Sequence, residues 1–166
     1  RGSPIPPEGD TGMRPSNRAV IAMTAAIAIA VPAEGFRQYA YRDPPGIWTV
    51  CWGSTRDVVP GRKYSLEECK DRLTTEMLHA VGTVERCAPG LPENALAAFS
   101  DAVFNLGPTL VCDKTRSTAA RLLAAGDWQG ACRQLPRWDK ARVGGQMVAL
   151  PGLTKRRQAE MELCLS

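Results

Sequence analysis

Glu34-Gly-Phe-Arg-Gln-Tyr-Ala-Tyr-Arg-Asp43-Pro-Pro-Gly-Ile-Trp-Thr49-Val-Cys-Trp-Gly53 is the stretch from which the rest of the chain can be read. It holds a carboxylate, a second carboxylate nine residues on, and a threonine six beyond that. Two carboxylates facing each other across a cleft are what hydrolysis of a glycosidic bond requires. One protonates the leaving oxygen, and the other supports the attacking water or the oxocarbenium-like charge. A bare acidic pair is weak evidence, because most such pairs are solvated surface charges. The full pattern E-x6-Y-x-D-x5-T-x3-G is far more specific. Asp43-Pro-Pro-Gly46 is turn chemistry. Ile47–Trp52 is rich in β-formers and reads as a strand, with Ile47, Thr49 and Cys51 on one face and Trp48, Val50 and Trp52 on the other. Glu34 to Tyr41 reads as a helix or helix end. Gly53 and Pro60-Gly61 mark the turns of a small hairpin sheet.

Helical signals dominate downstream. Ser65 followed by Glu68 is a capping box, and Leu66, Cys69, Leu73, Met77, Val81 and Val84 recur at helical spacing up to Cys87. Pro89-Gly-Leu-Pro92 ends that element. An apolar helix is expected from Glu93 to Leu106, stopped by Gly107-Pro108, then helices over Thr118–Ala125, Asp127–Gln134 and Thr154–Cys164. Asp127 and Thr154 are suited to N-caps. The expected fold class is α+β: mostly helical and two-lobed, with a small antiparallel β-hairpin sheet. Residues 34–64 form one lobe, 65–87 the linking helix and 88–166 the helical lobe.

Upstream, Arg1–Gly12 is rich in proline and glycine and precedes Met13, and is expected to be a leader segment. Basic residues in Met13-Arg-Pro-Ser-Asn-Arg18 come before a fifteen-residue apolar run, Ala19–Ala33, seven of whose residues are alanine. At about 1.5 Å per residue the run covers roughly 22 Å as a helix, short of the ~20 residues of a usual membrane span. A basic flank before a short apolar run is an export pattern. A cleaved signal with Val31-Pro-Ala33 as its site and a plain buried helix are both open readings. Cleavage after Ala33 would remove the helix that should hold Glu34.

The 166-residue chain is 44% hydrophobic and 23% charged, ordinary for a folded protein of one domain or two lobes sharing a helix. A net charge of +4 suits an anionic wall, a membrane surface or nucleic acid. No zinc spacing, aromatic RNA-binding motif or basic cluster on one helix is present, so no nucleic acid is expected. Six cysteines with no C-x2-C pair, and His79 as the only histidine, point to disulfides in an oxidising compartment and away from metal. No cofactor is expected. Of fifteen possible pairings the sequential one is expected: Cys51–Cys69, Cys87–Cys112 and Cys132–Cys164.

From Glu34 to the C-terminus the sequence resembles the phage-type lysozymes of glycoside hydrolase family 24, the endolysins. The resemblance rests on the catalytic run together with Tyr64-Ser-Leu-Glu-Glu-Cys-Lys70, Phe104-Asn-Leu-Gly107, Gly130-Ala-Cys-Arg-Gln-Leu135, Arg137-Trp138, and Leu153-Thr-Lys-Arg-Arg157 with Cys164. Residues 13–33 in turn resemble the signal-anchor-release segments of some endolysins, which enter the membrane uncleaved and later leave it. The resemblance implies a monomer that is exported, tethered to the inner membrane through residues 19–33 and released to the periplasm. It implies cleavage of the β-1,4 bond between N-acetylmuramic acid and N-acetylglucosamine in peptidoglycan, with inversion. Glu34 is then the general acid, Asp43 the second carboxylate, and Thr49 a hydroxyl that helps position the attacking water. Arg157 falls where the family places an arginine close to the glutamate, with Arg156 as its neighbouring possibility. A cation there opposes the acid role by favouring the carboxylate, so it reads as a positioning residue. Val103 and Asn105 match positions lining the cleft, although Asn105 equally suits a helix end. Trp138 reads as a core residue rather than a sugar platform. The alternatives kept beside this reading are a lytic transglycosylase and a non-enzymatic membrane- or wall-disrupting protein.

Overall fold

The computed structural model describes residues 14–166; the leader at 1–12 and Met13 lie outside the described residues. Helix α1, Asn17–Glu34, is capped by the Ser16 hydroxyl, which accepts from Ala19 N. It runs through Pro32 and stops at Gly35. It is long and apolar enough by length and composition to cross a membrane. Ala19, Ala22, Ala26 and Ala30 form its buried stripe, while Val20 and Ile21 stay exposed. Small side chains on one stripe let α1 lie close against its neighbours. Near its start, the Arg18 guanidinium donates to the Leu91 carbonyl.

The expectation of helix to Tyr41 is corrected. After Gly35 the chain turns directly into β1, Arg37–Arg42, which pairs antiparallel with β2, Trp48–Cys51. Thr49, Val50 and Cys51 are buried in succession, so the expected two-face alternation is lost at this end of β2. Val50, Cys51, Tyr64 and Cys69 make a small core of their own, against which Trp52 and Val58 pack.

Helix α2, Leu66–Cys87, begins with both halves of the Ser65/Glu68 capping box formed. It packs on α3, Glu93–Leu106, whose residues from Ala95 to Val103 are all buried. A helix buried on every side is the centre of its fold, and α1, α2 and the last helix, α7 (Pro151–Leu165), surround this one. Short helices α4 (Thr109–Cys112), α5 (Thr118–Ala124) and α6 (Trp128–Cys132) and a 3-10 turn (Leu135–Trp138) complete that layer. Asp127 caps α6 by accepting from Gly130 N. The sequential pairing is the one present: Cys51–Cys69, Cys87–Cys112 and Cys132–Cys164.

Two further features depart from expectation. A second hairpin, β3 (Lys140–Val143) and β4 (Gln146–Ala149), turns through Gly144-Gly145, both at positive φ, which suits a two-residue hairpin turn. The last helix, α7, is Pro151–Leu165, with Pro151 in its first turn. Thr154 therefore lies inside it and is not its cap; its hydroxyl is 2.9 Å from Asp139 Oδ2 and 3.2 Å from the Leu150 carbonyl.

Packing of α1 has a direct consequence. Ala26 is 0% exposed, so Ala26→Leu should cost about 1–3 kcal/mol by overpacking. Leucine at exposed Ala28, on the same helix, should leave thermal unfolding nearly unchanged. Equal losses at both sites would mean that α1 does not dock in this orientation.

Candidate active site

Glu34 is the last residue of α1, and three elements meet at its carboxyl. The first is the turn after β2. A Cβ on Gly53 would lie 2.5 Å from the Glu34 carboxyl carbon, and Gly53 has φ +74. Glycine here removes a side chain that would strike the carboxylate, and it adopts a backbone angle costly to other residues. Two residues earlier, Cys51 is at φ +61, uncommon for a non-glycine. Its bridge to buried Cys69 on α2 pins this turn to the long helix.

The second element is α7. Arg156 Nη1 donates to Glu34 Oε1. This corrects the placement of Arg157: that side chain is 0% exposed, and its Nη2 donates to Glu160 Oε1 at 2.5 Å. The two arginines are adjacent, and one residue turns a helix by roughly 100°, so only one can face Glu34.

The third element is α3. Arg156 Nε and Nη2 donate to Asp101 Oδ2 and Oδ1 at 2.9 and 2.7 Å, a bidentate pair. Asp101 is 0% exposed within the central helix, where an unpaired carboxylate would be prohibitive. Arg156 also comes within 3.8 Å of Glu160. Burial works against the charge on Arg156, but Asp101 and then Glu34 outweigh it, so the guanidinium is held above its ordinary value. Glu160 is held well above the usual carboxylate range, first by burial and then by Asp101, against the pull of Arg157. Its Oε2 is buried without a hydrogen-bond partner among the described residues. Burial and the neighbouring Asp101 thus favour the neutral form of Glu160.

Asp43 sits in the β1–β2 turn. Its Oδ1 accepts from Ile47 N at 2.7 Å, and its own N–H donates to the Ile47 carbonyl at 3.0 Å. The buried Thr49 hydroxyl donates to that same carbonyl at 3.0 Å. Thr49 thus braces the loop that carries Asp43. Tyr41, directly across from Thr49 in the sheet, is raised above its ordinary value by burial and then by the charge of Glu34, with Asp43 adding to it. It feels both carboxylates.

A cleft of about 360 Å³ opens beside Gly53, between the β2–α2 connection, α2 and the end of α3. Thr55, Glu76, His79, Val103 and Phe104 line it. Val103 is therefore on the wall, while Asn105 is not part of the lining and has its Oδ1 buried without a partner among the described residues. Trp138 packs against the main core, and its carbonyl accepts from Arg157 at 3.5 Å. Sequence reasoning gave His79 no role and passed over Asp101 and Glu160. Asp101 had a signal of its own, an acid in the middle of the apolar run Ala95–Phe104.

The matched family model is "Phage lysozyme", over residues 32–160, from the end of α1 to α7. The chain belongs to the phage lysozyme family. It is 35% identical over 134 residues to the SAR-endolysin of Bacteriophage PS119, covering 80% of this chain and 76% of that one. To the SAR-endolysin of Pseudomonas phage phiKMV it is 35% identical over 146 residues, covering 87% and 88%. The active form of P1 phage endolysin Lyz superposes with a TM-score of 0.73 at 27% identity, covering 90% of this chain and 94% of that one. This phage lysozyme is thus an enzyme of the lysozyme, or muramidase, class and acts on peptidoglycan. The α+β, mostly helical lysozyme-like fold agrees with the expected class.

Two substitutions test the geometry. Gly53→Ala should cut activity at least tenfold, because the methyl displaces the Glu34 carboxyl; undiminished turnover would remove the close approach from the account. Glu160 concerns stability. Its folded-state value lies above the ordinary 4.5 of a glutamate, so its stabilising contribution is complete below that pH and is lost as pH rises toward the folded value. Glu160→Gln does not titrate. The melting temperature of this variant relative to wild type should therefore rise between pH 4.5 and pH 8, and a pH-independent difference would contradict a proton on Glu160.

Proposed function

We propose that this phage lysozyme is an endolysin hydrolysing the β-1,4 bond between N-acetylmuramic acid and N-acetylglucosamine, with Glu34 as general acid and Asp43 as base. The observation that carries the reading is the Glu34 carboxyl, fixed beside the cleft by Gly53 and Arg156 while Asp43 projects from the adjoining hairpin. Glu34 gives its proton to the glycosidic oxygen as that bond breaks. Asp43 takes a proton from the water that adds to the anomeric carbon. Thr49 holds the Asp43 loop through Ile47 and keeps lone pairs for that water. Inversion calls for a carboxyl separation of about 6.5–9.5 Å. Arg156, rather than Arg157, is the positioning residue, and Val103 contributes to the glycan wall.

The N-terminal helix supports a second element of the same proposal. Residues 19–33 tether the exported chain to the inner membrane and later leave it for the periplasm, and α1 is their released, docked form. Held in lipid, α1 cannot pack on α3, and Glu34 cannot reach Gly53 and Arg156. Its many alanines lose little on leaving lipid, since transfer free energy scales with apolar area.

Glu34→Gln and Asp43→Asn should each lower muropeptide release by at least about a hundredfold, the usual range for losing acid–base catalysis, with folding unchanged. Near-normal release of reducing ends by a folded double variant would sink the assignment. Mass spectrometry should find hydrated rather than 1,6-anhydro products; anhydro ends would make the enzyme a lytic transglycosylase. For the tether, leucine at exposed Thr24 and Ala28 should retain the protein in the membrane fraction and delay lysis. Membrane retention with lysis on the normal schedule would reduce residues 19–33 to an export signal.

A further inference from the structure

The reading of Glu34 as general acid leaves a physical problem, and the cluster around Arg156 contains its solution. A general acid must carry a proton at working pH, yet Arg156 donates to Glu34, and an adjacent cation favours the bare carboxylate. The same guanidinium turns its other two donors to Asp101, at 2.7 and 2.9 Å, within the buried central helix. We propose that Asp101 is a positioning residue for catalysis: by holding Arg156 as a neutral pair, it lets Glu34 keep its proton beside a cation and still be oriented by it.

The charges clustered around Glu34 set this balance, with Arg56 and, on α2, Glu76, His79 and Arg86 facing it from the cleft wall. From α7 come Arg156, Arg157 and Glu160; from α3, Asp101; from α1, Glu34; and Tyr41 on β1 and Asp43 beyond it feel the same field. With Glu160 neutral, two arginines face two carboxylates when Glu34 is ionised. When Glu34 is protonated, Arg156 still has Asp101, and Arg157 has Glu160 Oε1 at 2.5 Å. Without Asp101, protonating Glu34 would leave both arginines without an ionised partner in the cluster. Asp101 thus makes the protonated form of Glu34 tolerable, and Arg156 aims the carboxyl in both forms.

The test is the pH dependence of kcat/KM on soluble peptidoglycan fragments for wild type, Asp101→Asn, Arg156→Gln and the double variant. The alkaline limb reports loss of the acid's proton in the free enzyme. Asp101→Asn should move that limb down by about one pH unit or more, the usual effect of one nearby charge. Arg156→Gln should move it up, and adding Asp101→Asn to Arg156→Gln should pull it back toward wild type. A purely structural Asp101 would lower the melting temperature and leave the limb in place, and that result overturns the proposal. If Asp101→Asn alone does not fold, the comparison of Arg156→Gln with the double variant decides: a smaller upward shift in the double supports coupling, and equal shifts refute it. The inference rests on Glu34 being the acid, and the two failures are distinguishable. An active Glu34→Gln enzyme removes the acid assignment itself, whereas an inactive Glu34→Gln with an unmoved limb in Asp101→Asn removes only the role of Asp101.

Discussion

The Arg156 guanidinium joins three segments far apart in sequence: the end of α1 through Glu34, the middle of α3 through Asp101, and its own helix α7. Each partner would be unfavourable alone. Asp101, fully buried in the central helix, cannot remain charged without a cation, and a buried arginine cannot remain without anions. Together they fix how α1, α3 and α7 can meet. Breaking such a buried pair by removing one partner typically costs about 3–5 kcal/mol, because the other charge is then stranded. Registry of the helices and position of the Glu34 carboxyl follow from the same set of hydrogen bonds.

α1 contributes little to its own orientation beyond an alanine stripe. Ala22, Ala26 and Ala30 are fully buried while Val20 and Ile21 are exposed, so the helix keeps apolar side chains on its outer face as well. The proposed tether would need a sequence that serves two environments. Small side chains permit close docking on α3, and enough of the surface is apolar to lie in lipid. Only in the docked state does Glu34 meet Gly53, and the Cys51–Cys69 bridge holds Gly53 in place from the other side. Under the proposed release of α1 from the membrane, assembly of the site and docking of α1 would be one event.

Much of this was legible in the sequence, and what was missed has physical causes. The run from Glu34 to Gly53 pointed to the family because its motif is local and dense. Helix α3 began and ended where Pro92 and Gly107 indicated, and α2 began at its capping box. Of Glu34–Tyr41, read as a helix or helix end, only Glu34 is helical, because aromatic and arginine residues suit either state and Gly35 is the stop signal. The β3–β4 hairpin was missed because its strands are mostly exposed and show no burial alternation, although Gly144-Gly145 marked the turn. Taking Thr154 as a cap placed the helix start three residues late, whereas Pro151 marked it. The family resemblance points to Arg157 with Arg156 as its neighbour, and a match of position along the sequence does not resolve helix phase to one residue. The Asp101–Arg156 pair spans 55 residues, and no local pattern can report such a pairing.

The central claim is that the active enzyme is the one with α1 docked on α3. Native-state amide hydrogen exchange on the released, catalytically competent protein tests it directly, since protection reports the free energy of local opening. The account predicts that amides from Ala22 to Glu34 are protected nearly as strongly as those of α3, and that conditions which loosen them reduce activity in proportion. Rapid exchange along α1 in a fully active enzyme would contradict it.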